Sequence, residues 1–303
     1  TDRSRGLGDV YKRQVLTGCS GDSGPAITLY DGINSEMQLI HKMVELVVED
    51  KTDVEVTIKD QMSAVNMFRE LTREDPSCDI MNSYDGTVLT TFLKQDPSDV
   101  PEGQTLYEYA KAQVMEQYGV DMLDQLGINN TYCIAVPQSI ADQYGLETIS
   151  DLIPVAGELR FGAEHEFFTE EGTMKYTPFT QFYGLNFKEK IPVDINLKYA
   201  AVENDNFDVT VVYTTDGLNR KANLKVLEDD QNFFPEYNGA LLIREGLYDE
   251  LADAAPNLKD ILNSLSGTLT NEKMTDLTYA VDVEGRTVEE VAREFLTESG
   301  LIG

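Results

Sequence analysis

Short apolar runs alternate along the chain with segments whose apolar residues recur every three or four positions. Residues Val54 to Ile58 alternate with polar neighbours as a half-buried strand does, and the helical spacing after Ile33 predicts a helix opened by Ser35 and Gln38 as a capping box. In the first half of the chain the predicted strands are Ala26–Tyr30, Val54–Ile58 and Cys78–Met81, and the predicted helices are Ser35–Glu49, Met62–Leu71 and Leu106–Tyr118. This alternation predicts an α/β fold with a parallel sheet.

The same alternation restarts at about residue 132. The predicted strands are Tyr132–Val136, Leu159–Ala163, Ile191–Ile195, Val209–Tyr213, Leu224–Leu227 and Gly239–Ile243, and the predicted helices are Ile140–Tyr144, Ile149–Val155, Thr177–Tyr183, Leu197–Val202, Leu247–Leu265 and Asn271–Val281. A last helix is opened by Thr287 and Glu290 as a second capping box. Two α/β units favour two lobes, and open α/β sheets bind ligands at the carboxyl ends of their strands. We therefore expect a ligand cleft between the lobes.

The composition is that of a folded and strongly acidic protein. The chain has 303 residues, of which 41% are hydrophobic, enough to bury a core in each of two domains. It carries 24 Lys and Arg against 54 Asp and Glu, which gives a formal net charge of -30. Such a surface repels phosphate backbones and anionic lipid headgroups, so nucleic acid is excluded as a partner. The sequence contains no run of about 18 apolar residues, so it predicts no membrane-spanning helix.

The N-terminal segment has a pattern of its own. Leu16-Thr17-Gly18-Cys19 resembles the lipobox of bacterial lipoproteins, which predicts lipidation of the Cys19 thiol. Residues 1–14 are polar and lack the apolar core of a signal peptide. We therefore interpret residues 1–25 as a signal-peptide remnant, a lipobox and a small-residue tether.

Motifs of catalysis and metal binding are weak. Gly21 to Pro25 resembles the nucleophile motif of chymotrypsin-like proteases, but the histidines that such a serine needs, His41 and His165, fall on a predicted helix and a predicted loop. His165 lies between Glu164 and Glu166, which is more typical of a polar loop than of a metal site. No Walker loop, dinucleotide-binding glycine motif or zinc-spaced cysteine pair is present. We expect no enzyme activity, no cofactor and no metal.

Two further cysteines, Cys78 and Cys133, lie more than 50 residues apart without metal-ligand spacing. They are predicted to be either buried small apolar residues or one disulfide.

Five segments carry a family resemblance. They are Asn129-Asn130-Thr131-Tyr132, Leu159-Arg160-Phe161-Gly162-Ala163-Glu164, Tyr213-Thr214-Thr215-Asp216-Gly217, Leu227-Glu228-Asp229-Asp230-Gln231-Asn232-Phe233-Phe234-Pro235 and Val281-Asp282-Val283-Glu284-Gly285. Through them the chain resembles the substrate-binding lipoproteins of osmoprotectant ABC importers, which take up glycine betaine, choline or carnitine. The resemblance implies a two-lobed periplasmic-binding-protein-like fold of type II, with crossing strands near Asn130–Ala135 and Phe233–Ala240. Lobe one would comprise residues 26–130 and 236–303, and lobe two residues 131–235.

The resemblance also implies a binding site. Members of that family hold a trimethylammonium group in an aromatic cage, because a quaternary cation has no hydrogen to donate but is attracted to ring faces. The matching positions here are Tyr84, Tyr132, Tyr199 and Tyr213, with Thr87 as a candidate donor to the other end of the ligand.

One position departs from the family pattern. Relatives often place a lysine or glutamine after the first strand, where this chain has Gly32 preceded by Asp31. A side-chain donor is lost there, and Glu164 to Glu166 are candidate cleft residues from lobe two. A ligand with a hydroxyl or a bulkier tail therefore becomes as plausible as glycine betaine.

The implied function is capture of a quaternary ammonium compound outside the cytoplasm, by a protein held to the membrane only through its lipid anchor. Its partners would be the permease and ATPase subunits of an ABC importer. The alternative is a ligand-sensing receptor domain of the same fold without a transport role.

Overall fold

The computed structural model describes residue 24 and residues 26–169, 174–194 and 197–303. Cys19 and the motif around it lie outside these ranges. The strands are β1 (Ala26–Tyr30), β2 (Glu55–Lys59), β3 (Ile80–Tyr84), β4 (Asp121–Met122), β5 (Tyr132–Pro137), β6 (Arg160–Ala163), β7 (Glu189–Pro192), β8 (Val209–Tyr213), β9 (Leu224–Val226) and β10 (Gly239–Ile243).

The helices follow the strands in alternation. They are α1 (Ser35–Lys51), α2 (Ala64–Thr72), α3 (Asp85–Thr87), α4 (Leu106–Tyr118), α5 (Gln138–Tyr144), α6 (His165–Thr169), α7 (Tyr176–Tyr183), α8 (Lys198–Glu203), α9 (Leu218–Lys221), α10 (Leu247–Glu250), α11 (Leu258–Asn263), α12 (Asn271–Asp282) and α13 (Val288–Glu298). A π-helical turn, Val88–Phe92, continues α3, and 3-10 turns occur at Pro97–Asp99, Ser150–Leu152 and Ala156–Glu158. In the described chain no helix is both long enough and apolar enough to cross a membrane.

The start of α1 differs from the prediction. The capping residue is Asn34, whose extended backbone lets its side chain accept from the Met37 amide at 2.9 Å. The predicted capping box is therefore wrong, because Ser35 donates instead to Asp282 at 2.7 Å and Gln38 donates to the Gly32 carbonyl at 3.1 Å. At α13 the predicted capping box of Thr287 and Glu290 is confirmed.

The first lobe is built on β1, β2, β3, β4 and β10. β1 and β2 pair in parallel, and β10 lies between β3 and β4. The Asp79 amide donates to the Thr28 carbonyl at 2.8 Å, which brings the start of β3 beside β1. Val44 and Val47 of α1 pack in one buried cluster with Phe295 of α13. The C-terminal helices therefore complete the core that the N-terminal segment begins.

The second lobe contains a five-stranded sheet in the order β7-β6-β8-β5-β9. Its core is rich in aromatic rings, and Phe161 lies 5.2 Å from Tyr176, centroid to centroid. Tyr132 of β5 packs with its ring 6.0 Å from Phe167 and 6.3 Å from Phe234. The aromatic core thus supports a ring at the edge of the lobe.

The sheets are mixed rather than wholly parallel. β5 runs antiparallel to β8 and β9, and β10 runs antiparallel to β3 and β4. Each of these two strands is entered by a segment that comes from the other lobe, so its direction is set by the crossing and not by a strand-helix-strand connection. The prediction of a parallel sheet is wrong for these strands.

Two segments cross between the lobes side by side. Asn129 bridges Asn238 in antiparallel fashion, and the Asn130 amide donates to the Tyr237 carbonyl at 2.9 Å. Thr131 donates its hydroxyl to the Pro235 carbonyl at 2.8 Å. The larger buried clusters contain residues from 27–128 and 240–302 on one side, and from 134–234 on the other. This division supports the predicted lobe bounds, which stay a prediction.

Cys78 and Cys133 are both buried and free. They belong to different hydrophobic clusters, one in each lobe. Of the two alternatives left open by the sequence, the structure supports buried thiols.

Candidate functional site

A cavity of about 840 Å³ opens where the two lobes and the two crossing segments meet. Of the five ligand-binding residues predicted from the sequence, four line this cavity, namely Tyr84, Thr87, Tyr132 and Tyr213. The fifth, Tyr199, is not among the lining residues. The ends of β3, β5 and β8 therefore converge on one space, as expected for the carboxyl or crossing ends of strands in a two-lobed fold.

Tyr132 and Tyr213 form a stacked pair on the wall from lobe two. They face each other across the antiparallel strands β5 and β8, with ring centroids 5.1 Å apart and planes 26° apart. Burial raises the pKa of the Tyr213 phenol, and the nearby Tyr132 phenol adds to this shift. The Tyr213 phenol therefore stays neutral at neutral pH, and both rings line the cavity.

Tyr84 and Tyr237 form a second ring pair on the opposite wall. Their centroids lie 6.2 Å apart. The Tyr237 ring lies against Gly86, where an added Cβ would come within 2.3 Å of ring carbon Cε2. Any larger side chain at position 86 would push the ring away, so Gly86 is needed for this arrangement.

Sequence reasoning missed Tyr237. It lies on the second crossing segment and lines the cavity, and burial raises the pKa of its phenol. The available signal was position alone, because residue 237 falls inside the predicted crossing Phe233–Ala240.

Glu36 is a buried carboxyl group in the first turn of α1, with only 4% of its surface exposed. The Tyr84 hydroxyl donates to its Oε1 atom, and Asn130 Nδ2 donates to the same atom at 3.1 Å. Burial raises the pKa of Glu36, and it also raises the pKa of the Tyr84 phenol well above its ordinary value. Glu36 therefore lines the cavity and also holds the Tyr84 hydroxyl in place.

Tyr199 lies behind the cavity wall. Its hydroxyl donates to Asp216 Oδ2, and it also contacts Asn219 Oδ1 at 3.0 Å. Asp216 itself lines the cavity, and burial raises the pKa of the Tyr199 phenol. Tyr199 therefore positions a lining carboxylate, and its direct contact with a ligand stays a prediction.

The two other predicted features near the cleft are also placed. An added Cβ at Gly32 would meet Met37 Cβ at 2.1 Å, so this position accepts no side chain unless α1 moves. Glu164 accepts a hydrogen bond from the buried Lys198 ammonium at 2.6 Å. Among the described residues, no group of three or more His, Cys, Asp or Glu is arranged to hold a metal ion.

Comparison with known proteins finds a family match over most of the chain. Residues 27–298 match the family described as the substrate binding domain of ABC-type glycine betaine transport systems. The carnitine transport binding protein OpuCC of Listeria monocytogenes is 30% identical over 94% of this chain and 90% of that protein. The glycine-betaine-binding protein of Pseudomonas aeruginosa is 30% identical over 76% of this chain and 75% of that protein.

A solved structure shows the same architecture. The crystal structure of a glycine betaine/carnitine/choline ABC transporter superposes with a TM-score of 0.82 at 30% identity, over 91% of this chain and 99% of that chain. The predicted two-lobed, type II periplasmic-binding-protein-like fold is confirmed.

Proposed function

The chain belongs to the family of substrate binding domains of ABC-type glycine betaine transport systems, and from this premise we propose that it captures a quaternary ammonium compound for import. The observation that carries this proposal is a single cavity of about 840 Å³ lined by four tyrosines. These rings come from both lobes and from both crossing segments. A ligand in the cavity would therefore contact both lobes and both crossing segments, and it would favour closure of the lobes.

Tyrosine rings suit a trimethylammonium group for a physical reason. The group carries a full charge but has no N–H to donate, so it cannot form hydrogen bonds with polar side chains. Ring faces, in contrast, attract it electrostatically. Tyr132 and Tyr213 supply one face, and Tyr84 and Tyr237 supply the other. The names of the relatives, which specify carnitine and glycine betaine, support this class of ligand.

We assign roles to the remaining predicted residues within this proposal. Thr87 lines the cavity beside Tyr237 and offers a hydroxyl to the polar end of a ligand. Tyr199 acts through Asp216, which it holds against the cavity.

The partners proposed for the protein are the permease and ATPase subunits of an ABC importer. The protein acts outside the cytoplasm, as substrate-binding proteins of importers do. We propose that Cys19 carries the lipid that ties it to the membrane, on the strength of the Leu16-Thr17-Gly18-Cys19 sequence.

Calorimetric titration with glycine betaine, choline, carnitine and ergothioneine tests the proposed function. We expect saturable one-to-one binding of at least one of them, and no binding of glycine, whose ammonium group carries no methyl groups. Circular dichroism of the same sample serves as the folding control. Absence of binding by all four compounds to a folded protein would refute the proposed function.

A further inference from the structure

Three carboxyl groups, those of Glu36, Asp216 and Asp282, face the cavity. Among the described residues that line it there is no Lys, Arg or His. We propose that the cavity selects a ligand with a net positive charge, an ammonium cation with a neutral hydroxyl-bearing tail, over zwitterions that carry a carboxylate, and that Glu36 determines this selection. The inference rests on the proposed function and narrows its ligand class.

Glu36 is the residue with an unfilled bonding position. Its Oε1 atom accepts from Tyr84 and Asn130, but its Oε2 atom is buried and makes no hydrogen bond of normal geometry within the described chain. Burial raises the pKa of Glu36, and the nearby Thr215 hydroxyl opposes this shift. A buried carboxylate oxygen without a donor is costly, and a ligand that brings a hydroxyl proton or a positive charge removes that cost.

Four polar side chains around Glu36 donate to acceptors in the protein. Tyr84 and Asn130 donate to Glu36, Ser35 donates to Asp282 at 2.7 Å, and Gln38 donates to the Gly32 carbonyl at 3.1 Å. A ligand carboxylate in the cavity would meet the carboxyl groups of Glu36, Asp216 and Asp282. It would also repel the Glu36 carboxylate at short range, where the low local dielectric strengthens the interaction.

Lys198 does not relieve this repulsion. The Lys198 ammonium is 3% exposed, pairs with Glu164 at 2.6 Å and donates to the Val211 carbonyl at 3.1 Å. It is not among the residues that line the cavity. The electrostatic balance of the lining is therefore negative, and a net cation suits it best.

The test compares matched ligands on the wild-type protein. Glycine betaine and its methyl ester differ in one feature, because esterification masks the carboxylate and leaves a net cation. We expect the methyl ester and choline each to bind at least about tenfold more tightly than glycine betaine, by calorimetry at low and at physiological ionic strength. This comparison needs no substitution and does not depend on how a variant folds.

A pair of variants locates the effect. Glu36→Gln keeps the shape and removes the charge, and we expect it to reduce the preference for choline over glycine betaine at least about fivefold. Glu298→Gln removes one charge from an exposed position at the end of α13 and should leave the preference unchanged. Circular dichroism and thermal melting check that both variants are folded.

The outcomes separate this inference from the proposed function. Equal binding of the methyl ester and glycine betaine would overturn the inference. Tighter binding of glycine betaine or carnitine than of choline would also overturn it. A protonated Glu36 that donates to a ligand carboxylate would give such results. A preference that survives in a folded Glu36→Gln variant would overturn the role of Glu36. The proposed function would stand in each case, and it would fail only if no quaternary ammonium compound bound at all.

Discussion

The stacked pair of Tyr132 and Tyr213 provides the sharpest test of how the cavity recognises its ligand. Tyr213→Ala removes one ring, which in the native protein is 38% exposed and lies 5.1 Å from its partner. A cation over a ring gains about 0.5–1 kcal/mol where the ring is exposed and about 2 kcal/mol where the bound ligand excludes water from it. We therefore expect a loss of about 1–2 kcal/mol, or about 5- to 30-fold in affinity.

Two companion variants show whether the ring or its hydroxyl matters. Tyr213→Phe keeps the π-face and loses only the hydroxyl group, so we expect a change of less than about threefold. Tyr118→Ala is the matched control, since Tyr118 is 39% exposed, packs on Phe68 at 5.1 Å and does not line the cavity. Calorimetric titration of all four proteins with the best quaternary ammonium ligand measures these effects.

The charge of the ligand is tested with its neutral analogue. Replacing the trimethylammonium group by a tert-butyl group keeps nearly the same shape but removes the cation, and we expect binding at least about tenfold weaker. If the neutral analogue binds as tightly as the cation, the rings act only as an apolar surface and the cation–π account is wrong. An unchanged affinity in Tyr213→Ala would show that the ligand does not lie against this pair.

Three further predictions concern the molecule as a whole. Lobe closure on binding should lower the radius of gyration measured by X-ray scattering, since the rings come from both lobes, and an unchanged radius at saturation would place the site in one lobe. Burial raises the pKa of Asp85 from its ordinary 3.8 to about 6, so the native state holds this proton more tightly than the unfolded state. As the pH rises from about 4 to about 6, the wild type should therefore lose about 3 kcal/mol of its free energy of unfolding relative to Asp85→Asn. Urea unfolding measures this difference, and a pH-independent difference would contradict the prediction. Radiolabelled fatty acid should enter the protein expressed behind a functional signal sequence and not its Cys19→Ser variant, whereas equal labelling of both would remove the anchor.

Strand positions could be predicted because they depend on local alternation. β1, β8 and β10 occupy the predicted residues, and the tyrosine that ends β8 lines the cavity. The direction of β5 and β10 could not be predicted, because it depends on the lobe from which the chain arrives. Periodicity contains no information about that.

The parts of the site that escaped prediction are those made by distant contacts. Glu36 in the first turn of a helix is typical of a side chain that complements the helix dipole in solvent. It is buried here because Tyr84 and Asn130, 48 and 94 positions away, close over it. Tyr237 follows no periodic pattern, and its position depends on the missing side chain of Gly86.

Most of the tyrosine rings predicted for the binding site are held in place by other groups of the protein. Tyr84 is held by Glu36, Tyr132 by the aromatic core of lobe two, and Tyr199 holds Asp216. Rings fixed in advance would lose less side-chain freedom on binding a ligand, so more of the interaction energy would remain as affinity.

The same region also joins the lobes. Thr278 of α12 donates its hydroxyl to the Thr215 carbonyl at 2.9 Å and accepts from the Gly217 amide at 3.1 Å. An added Cβ at Gly217 would come within 2.4 Å of the Tyr279 amide nitrogen, so lobe two can approach α12 this closely only through a glycine. Because Thr215 and Asp216 line the cavity directly beside this junction, a ligand that contacts them would lie against the contact between the two lobes.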